Sequence, residues 1–202
     1  MTDPVKRTLA YYNEHAEEFV ERTAKVPMGH LYEPFLELIP PGGKILDAGC
    51  GSGRDAAEFA RRGYQVTAFD GSAVLAQLAS QRSGLQVLHQ TFDDINWRDE
   101  FDGVWACASL LHLPSEEIGP ALDRIGVAMR SGGVLFVSMK AGQFEGTRER
   151  RWFTDTTPTV LQELLTDTGL LEPVRVWETE ETRPSVNVAW VNALARRVTP
   201  TR

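Results

Sequence analysis

Three glycines at alternate positions follow a short apolar run near residue 50, and this feature constrains the chain more than any other. The segment reads Lys44-Ile-Leu-Asp-Ala-Gly-Cys-Gly-Ser-Gly53, and residues 54–62 have the apolar spacing of a helix. Glycine permits a tight turn and lets the backbone approach a ligand closely. The helix that follows offers free N–H groups and partial positive charge at its first turn. Such a strand–turn–helix is either a ligand-binding loop or a tight turn without a ligand.

The pattern of apolar residues around this loop predicts an α/β fold. Short apolar runs at 44–48, 64–69, 85–89, 101–108 and 134–139 alternate with helical patterns at 54–62, 72–81 and 115–129. This alternation predicts a mainly parallel sheet with helices on both faces. Two further strands, at 174–178 and 186–195, are joined by the loop 179–185 instead of a helix, so they are expected to be antiparallel neighbours.

The remaining segments complete the predicted organisation. We expect helices at 4–25 and 28–39, a turn at 131–133, an irregular loop at 141–151, and a helix from Thr157 or Thr159 to Thr168. Ser115 is the expected N-cap of its helix. The whole chain, 1–202, is predicted to be a single domain, with an N-terminal helical lid at 1–41, a core at 42–195 and a frayed tail at 196–202.

Asp70 supplies a second signal at the end of the second predicted strand. It follows Gly53 by 17 residues. In doubly wound folds an acid at this place binds ribose hydroxyls. The alternative is a helix cap or turn residue, since Gly71 and Ser72 come next. Together with the glycine loop, Asp70 favours a nucleoside-containing cofactor.

The loop also indicates which cofactor. A dinucleotide loop has the spacing GxGxxG, whereas this one has GxGxG with Asp47 two positions before the first glycine. An acid here would repel a pyrophosphate and would suit a ligand that carries an amino or sulfonium cation. The charge argument therefore favours S-adenosylmethionine over NAD.

Four segments in order carry a family resemblance: ILDAGCGSG, VTAFDGS, FDGVWACASLLHL and SGGVLFVSMK. They resemble the successive motifs of class I S-adenosylmethionine-dependent methyltransferases over residues 10–195. The finer similarity is to small bacterial type-11/type-25 members, including tellurite-resistance methyltransferase relatives. The resemblance implies a Rossmann-like seven-stranded sheet of order 3-2-1-4-5-7-6 with the last strand antiparallel.

The resemblance also implies a set of cofactor-binding residues. They are Tyr12, Asp47, Gly49, Gly51, Gly53, Asp70, Thr91, Phe92, Cys107 and Ala108. Tyr12 resembles an aromatic that closes over the cofactor, with Tyr11 as the alternative. Thr91 stands where relatives often carry an acid that binds adenine, and Asp93 or Asp94 takes that role if the alignment is shifted.

Two residues near the ends of later strands are catalytic candidates. His112 could accept a proton from the methyl acceptor, or it packs or caps the next helix. Lys140 could orient an anionic substrate at the carboxyl edge of the sheet, or it is a solvated lysine. The basic segment 148–151 could bind a carboxylate or phosphate, or it is a solvated loop.

Composition excludes several other classes. The net charge of −7 disfavours nucleic acid as a partner. Cys50 and Cys107 lack the spacing of a metal or disulfide site, and His15, His30 and His89 have no metal-ligand spacing. No signal peptide or membrane-spanning run is expected. Four residues near the C-terminus are expected to form wall and packing: Trp177, Arg183, Trp190 and Asn192.

The sequence therefore predicts a cytoplasmic S-adenosylmethionine-dependent methyltransferase that acts on a small molecule and releases S-adenosylhomocysteine. A monomer or homodimer is expected, without metal, membrane or nucleic acid. The alternatives are a non-catalytic module that binds S-adenosylmethionine and an NAD-type oxidoreductase.

Overall fold

A seven-stranded sheet organises the chain in the computed structural model, which describes residues 1–180 and 188–199. The strands are β1 (Lys44–Ala48), β2 (Gln65–Asp70), β3 (Val87–His89), β4 (Phe101–Cys107), β5 (Met129–Lys140), β6 (Glu145–Arg148), β7 (Arg151–Thr154), β8 (Leu171–Glu180) and β9 (Ala189–Arg197). The helices are α1 (Asp3–Glu14), α2 (Ala16–Thr23), α3 (Gly29–Leu36), α4 (Arg54–Arg61), α5 (Ala73–Ser83), α6 (Ser115–Ala128) and α7 (Pro158–Asp167). Short 3-10 turns lie at Phe92–Asp94 and Leu110–His112.

The main sheet has the order β3-β2-β1-β4-β5-β9-β8. β6 and β7 form a separate hairpin, so β9 and β8 are the seventh and sixth strands of the main sheet, and the predicted order 3-2-1-4-5-7-6 is confirmed. Strands β1 to β5 pair in parallel, whereas β9 is antiparallel to both β5 and β8. The reversal follows from the connection between β8 and β9, which is too short for a crossover helix.

The core lies on both faces of this sheet. On one face Trp105 stacks on Phe136 with ring centroids 3.9 Å apart, and α3 contributes Phe35, which is fully buried. On the other face α6 and α7 bury side chains such as Leu122 and Leu165. Because both faces are covered, residues 133–139 of β5 are buried, as is most of β4.

The N-terminal segment is two helices, not the single helix predicted at 4–25. His15 interrupts them at φ −118° and ψ 24°. Its ring stacks on Tyr11 at 4.2 Å, and its Nδ1 lies 2.9 Å from the Tyr11 carbonyl oxygen. This side-chain bond at the end of α1 competes with continuation of the helix, and apolar periodicity alone gave no sign of it.

The prediction of an irregular loop at 141–151 was wrong, because β6 and β7 form a hairpin there. The turn residues Glu149 and Arg150 both have positive φ, at 47° and 68°. Two successive positive φ values are typical of the tight hairpin turn that sequence normally signals with Asn-Gly or Asp-Gly. This turn has neither Asn-Gly nor Asp-Gly. The Arg148 guanidinium contacts the hairpin by stacking 3.9 Å from the centre of the Phe144 ring.

Three smaller predictions also need correction. Ser115 is not an N-cap: its backbone N–H donates to Glu145 Oε1 at 2.8 Å, so a carboxylate from the hairpin caps α6. The predicted turn at 131–133 lies within β5. Arg196 and Arg197 belong to β9 and not to a frayed tail, because they pair with β8. Residues 186–187 of the predicted last strand, Arg183, and residues 200–202 lie outside the described residues.

Candidate active site

A cavity of about 580 Å³ opens at the carboxyl edge of the main sheet. The glycine turn after β1, the ends of β2, β4 and β5, helices α1 and α2, and strand β7 all contribute to its wall. This is where open α/β sheets bind ligands, because the loops diverge at the point where the strand order reverses. The cavity brings together most of the residues that the sequence singled out.

The glycine turn has little space for side chains. Gly49 has φ +78°, and a Cβ placed there would lie 2.5 Å from Ser109 Cβ. Gly53 has φ +71° and approaches Ala79 equally closely, since a Cβ would lie 2.9 Å from its Cβ. Residues other than glycine rarely adopt these dihedral angles. The turn therefore presents backbone to the cavity, with the N-terminus of α4 directly behind it.

Asp70 ends β2 on the cavity wall and is 8% exposed. Its Oδ2 accepts the Gly51 N–H and its Oδ1 accepts the Ser72 N–H, both at 2.8 Å. Burial raises the pKa of this carboxyl, and the two backbone N–H donors oppose that rise. Since each carboxylate oxygen can accept a second hydrogen bond, the oriented Asp70 can still bind a pair of hydroxyls.

Asp47 is placed differently, because its carboxyl does not contribute to the cavity wall in the described residues. It is 2% exposed, and burial and then the charge of Asp55 raise its pKa well above the usual value. The Ala56 N–H in the first turn of α4 bonds to it. The structure thus places Asp47 behind the glycine turn, where it joins β1 to the start of α4.

The residues after β3 form one end of the cavity. Thr91 and Phe92 both lie on the wall, as does Asp93. Asp94 does not, because its Oδ2 accepts both the N–H and the hydroxyl of Thr91 at 2.8 Å. The side chains of Thr91 and Asp94 therefore satisfy each other and hold this turn in place.

Gln90, which the sequence analysis missed, lies on the wall just before this turn. Its Oε1 is buried without a hydrogen-bond partner among the described residues. A glutamine after a short strand carries no motif, so only its position in the fold identifies it.

The end of β4 forms the floor of the cavity. Cys107 and Ala108 both line it, and Ala108 has φ +53°. Its N–H donates to the Ser138 carbonyl at 3.0 Å, which fixes the sharp change of chain direction. Ser109 comes next, and its buried Oγ has no partner in the described part of the chain. Positive φ at a residue other than glycine is uncommon and clusters at functional sites.

Tyr12 and His112 form a hydrogen-bonded pair on the cavity wall. His112 Nδ1 lies 2.7 Å from the Trp152 carbonyl oxygen, so Nδ1 carries the proton and donates it. Nε2 is then the basic nitrogen, and it accepts the Tyr12 hydroxyl at 2.8 Å. Burial lowers the pKa of His112 to about 4, and burial raises the pKa of Tyr12. Both side chains are therefore neutral near pH 7.

Lys140 and Arg151 lie at the opposite end of the cavity from Gln90. Lys140 Nζ is 4.1 Å from the centre of the Phe153 ring, and Arg151 Cζ is 5.2 Å from the same centre. Burial lowers the pKa of Lys140, and the nearby charges of Arg148 and Arg151 lower it further. Of the predicted basic segment 148–151, Glu149 and Arg151 line the cavity, whereas Arg148 and Arg150 do not.

A buried polar cluster supports the wall beside the glycine turn. Asp55 accepts hydrogen bonds from Tyr32 Oη at 2.6 Å, Trp105 Nε1 at 2.9 Å and Arg54 Nε at 2.5 Å. Arg54 also donates to the Thr23 carbonyl of α2 at 3.2 Å. Arg54 and Asp55 both reach the cavity. No motif in the sequence indicates that these two adjacent charged residues are buried and paired.

The other predicted residues lie around this site. Trp190 and Asn192 line the cavity, and Trp177 packs near Phe136 with ring centroids 6.2 Å apart. His30 reaches the cavity rim, whereas His15 and His89 do not line it. In the described residues no three His, Cys, Asp or Glu side chains are placed to hold a metal ion. None of the helices in the described ranges is long and apolar enough to cross a bilayer.

Comparison with known proteins agrees with this geometry. A family model described as a methyltransferase domain matches residues 45–133. The chain is 35% identical over 108 residues to the ubiquinone biosynthesis O-methyltransferase of Xanthomonas axonopodis pv. citri, covering 50% of this chain and 44% of that protein. It is 34% identical over 104 residues to the magnesium-protoporphyrin O-methyltransferase of Rhodobacter capsulatus, covering 49% of this chain and 46% of that protein. The match thus spans less than half the length of these curated relatives.

A solved structure matches over almost the full length. It is the 1,6-didemethyltoxoflavin-N1-methyltransferase of Burkholderia thailandensis with bound 1,6-didemethyltoxoflavin and S-adenosylhomocysteine. The TM-score is 0.76 at 25% identity, and the match covers 98% of this chain and 92% of that one. The sheet order and the glycine turn after β1 show a Rossmann-like α/β fold, which this chain shares with that methyltransferase. Residues 45–133 thus match the methyltransferase-domain family, and the whole chain is similar in fold to a methyltransferase that binds S-adenosylhomocysteine.

Proposed function

We propose that this chain transfers a methyl group from S-adenosylmethionine to a small-molecule acceptor. One observation carries the proposal: a single cavity joins the glycine turn and Asp70 to the neutral pair Tyr12 and His112. A cofactor site and a proton-accepting group therefore share one enclosed space. The three proteins described above are named as an O-methyltransferase of ubiquinone biosynthesis, a magnesium-protoporphyrin O-methyltransferase and a 1,6-didemethyltoxoflavin-N1-methyltransferase, which supports a small molecule as acceptor.

The unpaired polar atoms fit such a ligand. Native proteins leave few buried polar atoms without a partner. Six such side-chain atoms occur in the described residues, and four belong to residues on the cavity wall: Gln90 Oε1, Ser109 Oγ, Arg151 Nε and Asn192 Oδ1. Their concentration at the cavity is expected where a polar ligand completes their hydrogen bonds.

We assign the binding roles from this geometry. Asp70 binds the ribose hydroxyls, and the turn at Gly49, Gly51 and Gly53 admits the methionine part close to the backbone. The Gln90 amide, with Thr91 and Phe92, surrounds the adenine. Cys107 and Ala108 form the floor, and Tyr12 closes the site from α1. Asp47 acts through the loop that it supports and not through contact.

His112 is the proton acceptor in this proposal. The bound cofactor supplies a methyl group made electrophilic by its sulfonium. A hydroxyl or amine acceptor loses a proton as it is methylated, and Nε2 of His112 can take that proton directly or through the Tyr12 hydroxyl. The Trp152 carbonyl favours this by keeping the other ring proton on Nδ1. Lys140 orients the acceptor.

Calorimetric titration tests the cofactor assignment. We expect S-adenosylmethionine and S-adenosylhomocysteine to bind, and NAD not to bind. Asp70→Asn should weaken binding of S-adenosylhomocysteine at least tenfold, about the effect of losing a charged acceptor for two hydroxyls. Asp123→Asn, at an exposed position on α6, is the matched control and should bind normally. Binding of NAD alone, or an unchanged affinity in Asp70→Asn, would contradict the assignment.

A further inference from the structure

The end of the cavity that contains Lys140 and Arg151 has positive charge that the protein itself does not neutralise. We call this region the acceptor pocket and define it by Lys140, Arg151, Phe153 and His112, all of which line the cavity. Lys140 ends β5, whereas Asp70 and Gln90, which we assign to the cofactor, lie at the ends of β2 and β3, three and four strands away in the sheet. The charge of this pocket therefore indicates the chemical class of the methyl acceptor.

The cations around β7 differ in how they are paired. Arg148 donates two hydrogen bonds to Asp155 at 2.8 and 2.7 Å, so its charge is satisfied. Arg150 is exposed and pairs with Glu14 at 2.8 Å. Lys140, in contrast, forms no ion pair with any carboxylate in the described part of the chain, and its ammonium lies over the Phe153 ring. The uncompensated charge in the acceptor pocket is thus that of Lys140.

Arg151 is only partly satisfied. Its side chain is 11% exposed, and one terminal nitrogen pairs with Glu149 at 2.7 Å. Its Nε is buried and has no hydrogen-bond partner in the described residues. A guanidinium can donate five hydrogen bonds in a planar fork, so Arg151 retains a donor for a planar anion.

Asp155 and Glu149 both favour the charged form of Lys140, but Asp155 is already paired with Arg148 and Glu149 with Arg151. Glu149 already binds Arg151 and is 79% exposed at its side chain. Glu180 also reaches the cavity from β8, but it is not among the groups whose charge acts on Lys140. Two cations close to one aromatic ring repel each other, and an anion between them would remove that repulsion.

We propose that the methyl acceptor is a small acid whose carboxylate or phosphate binds between Lys140 and Arg151. The aromatic ring of Phe153 supports the body of the molecule, and the acceptor atom faces Tyr12 and His112. The inference rests on the proposed methyl transfer for the role of this acid as substrate. The anion site itself is independent of that role.

Calorimetry with simple probes tests the anion site. Benzoate, phenyl phosphate and neutral benzamide would be titrated into the protein, with and without saturating S-adenosylhomocysteine. We expect benzoate or phenyl phosphate to bind at least tenfold more tightly than benzamide, and the better of the two identifies the anion. Lys140→Gln and Arg151→Gln should each weaken that binding about tenfold, the effect of one charge-assisted hydrogen bond.

Arg150→Gln is the matched control, because it removes the same charge one residue away but outside the cavity. It should bind the anion like the unchanged protein. Equal binding of benzamide, absence of anion binding, or equal losses in Arg150→Gln and Arg151→Gln would overturn the proposal.

The same titrations separate this inference from the proposed function. Affinity for S-adenosylhomocysteine should be normal in Lys140→Gln, because Lys140 contacts neither Tyr12 nor Asp70 in the described residues. Arg151 Cζ lies 5.8 Å from the centre of the Tyr12 ring, so Arg151→Gln is not used for this comparison. If the anion binds but S-adenosylhomocysteine does not, methyl transfer fails and the anion site stands. If S-adenosylhomocysteine binds but the anions do not, only the anion site fails.

Discussion

The hydroxyl of Tyr12 donates a hydrogen bond to Nε2 of His112 across 2.8 Å, and this bond joins the N-terminal helix to the end of β4. The hairpin of β6 and β7 also contacts His112, because the Trp152 carbonyl accepts a hydrogen bond from His112 Nδ1 at 2.7 Å. The Trp152 N–H donates to Thr8 Oγ1 at 2.8 Å. Three segments far apart in sequence thus meet at the group that we assign to proton transfer.

The Tyr12 bond should hold His112 in its neutral form, because a donor at Nε2 must be given up before the ring can gain a proton there. Tyr12→Phe is therefore expected to raise the pKa of His112, measured by following its ring protons by NMR as pH changes. Tyr11→Phe is the control, since its ring stacks on His15 and leaves the bond to His112 intact. The same His112 pKa in both variants would contradict the assignment.

His112 should also make folding stability depend on pH. Burial lowers its folded pKa from 6.5 to about 4, so the unfolded chain binds a proton at higher pH than the folded chain does. The free energy of unfolding must then fall as pH drops through this window. The stability difference between the unchanged protein and His112→Gln, measured by urea unfolding, should shrink from pH 7 towards pH 4. A stability difference that stays constant from pH 7 to pH 4 would contradict the assignment.

Substitution of Gln90 should change the affinity for S-adenosylhomocysteine without lowering the free energy of unfolding. Gln90→Leu removes the proposed adenine partner and should weaken S-adenosylhomocysteine binding about tenfold in calorimetry. It also removes an unsatisfied buried oxygen, so the unfolding free energy of the ligand-free protein should not fall. The control is Gln86→Leu, at an exposed position just before β3.

A second comparison for Gln90 uses the ligand. The unchanged protein should prefer S-adenosylhomocysteine to its inosine analogue, in which an oxygen replaces the adenine amino group. Gln90→Leu should lose that preference. A variant that keeps both affinity and preference would exclude Gln90 from the adenine site.

The glycine turn allows steric clash to be separated from backbone strain. Gly53 and Gly84 both have φ +71°, but a Cβ at Gly53 would lie 2.9 Å from Ala79 Cβ, whereas nothing lies within 4 Å at Gly84. Gly84→Ala should cost about 1–2 kcal/mol from left-handed strain. Gly53→Ala should cost about 1–3 kcal/mol more, because it overpacks the α4–α5 contact. Equal losses in urea unfolding would show that the contact is not tight.

Much of the fold could be predicted because its signals are local. The run from Lys44 to Gly53 carries a strand, a turn and a helix start in ten consecutive residues. The alternation of strands and helices then restricts the connections, because parallel pairing requires right-handed crossovers. The hairpin at β6 and β7 could not be predicted, since Glu149 and Arg150 are not residues that usually adopt its turn angles.

Parts of the candidate site could be predicted where a short motif marks a residue, as with the glycine turn and Asp70. Positive φ and close contacts require glycine at positions 49 and 53, and this spacing of glycines is recognisable in the sequence. The Tyr12–His112 bond spans 100 positions, so no spacing rule connects the two residues. Asp47 differs from its predicted role. Its position in the sequence predicts a contact with the cofactor, whereas the structure places it behind the loop, outside the cavity wall.

The alternation of strands and helices and the glycine turn follow from the sequence alone, since they depend on short-range periodicity and on a backbone that only glycine tolerates, whereas the sheet order was expected from the family resemblance. The tertiary structure alone decided which charges remain unpaired. Arg148, Arg150 and Arg151 are nearly equivalent in sequence, yet one pairs with Asp155, one with Glu14, and one enters the cavity beside Lys140. That selection follows from hairpin geometry and from burial, which depend on residues distant along the chain.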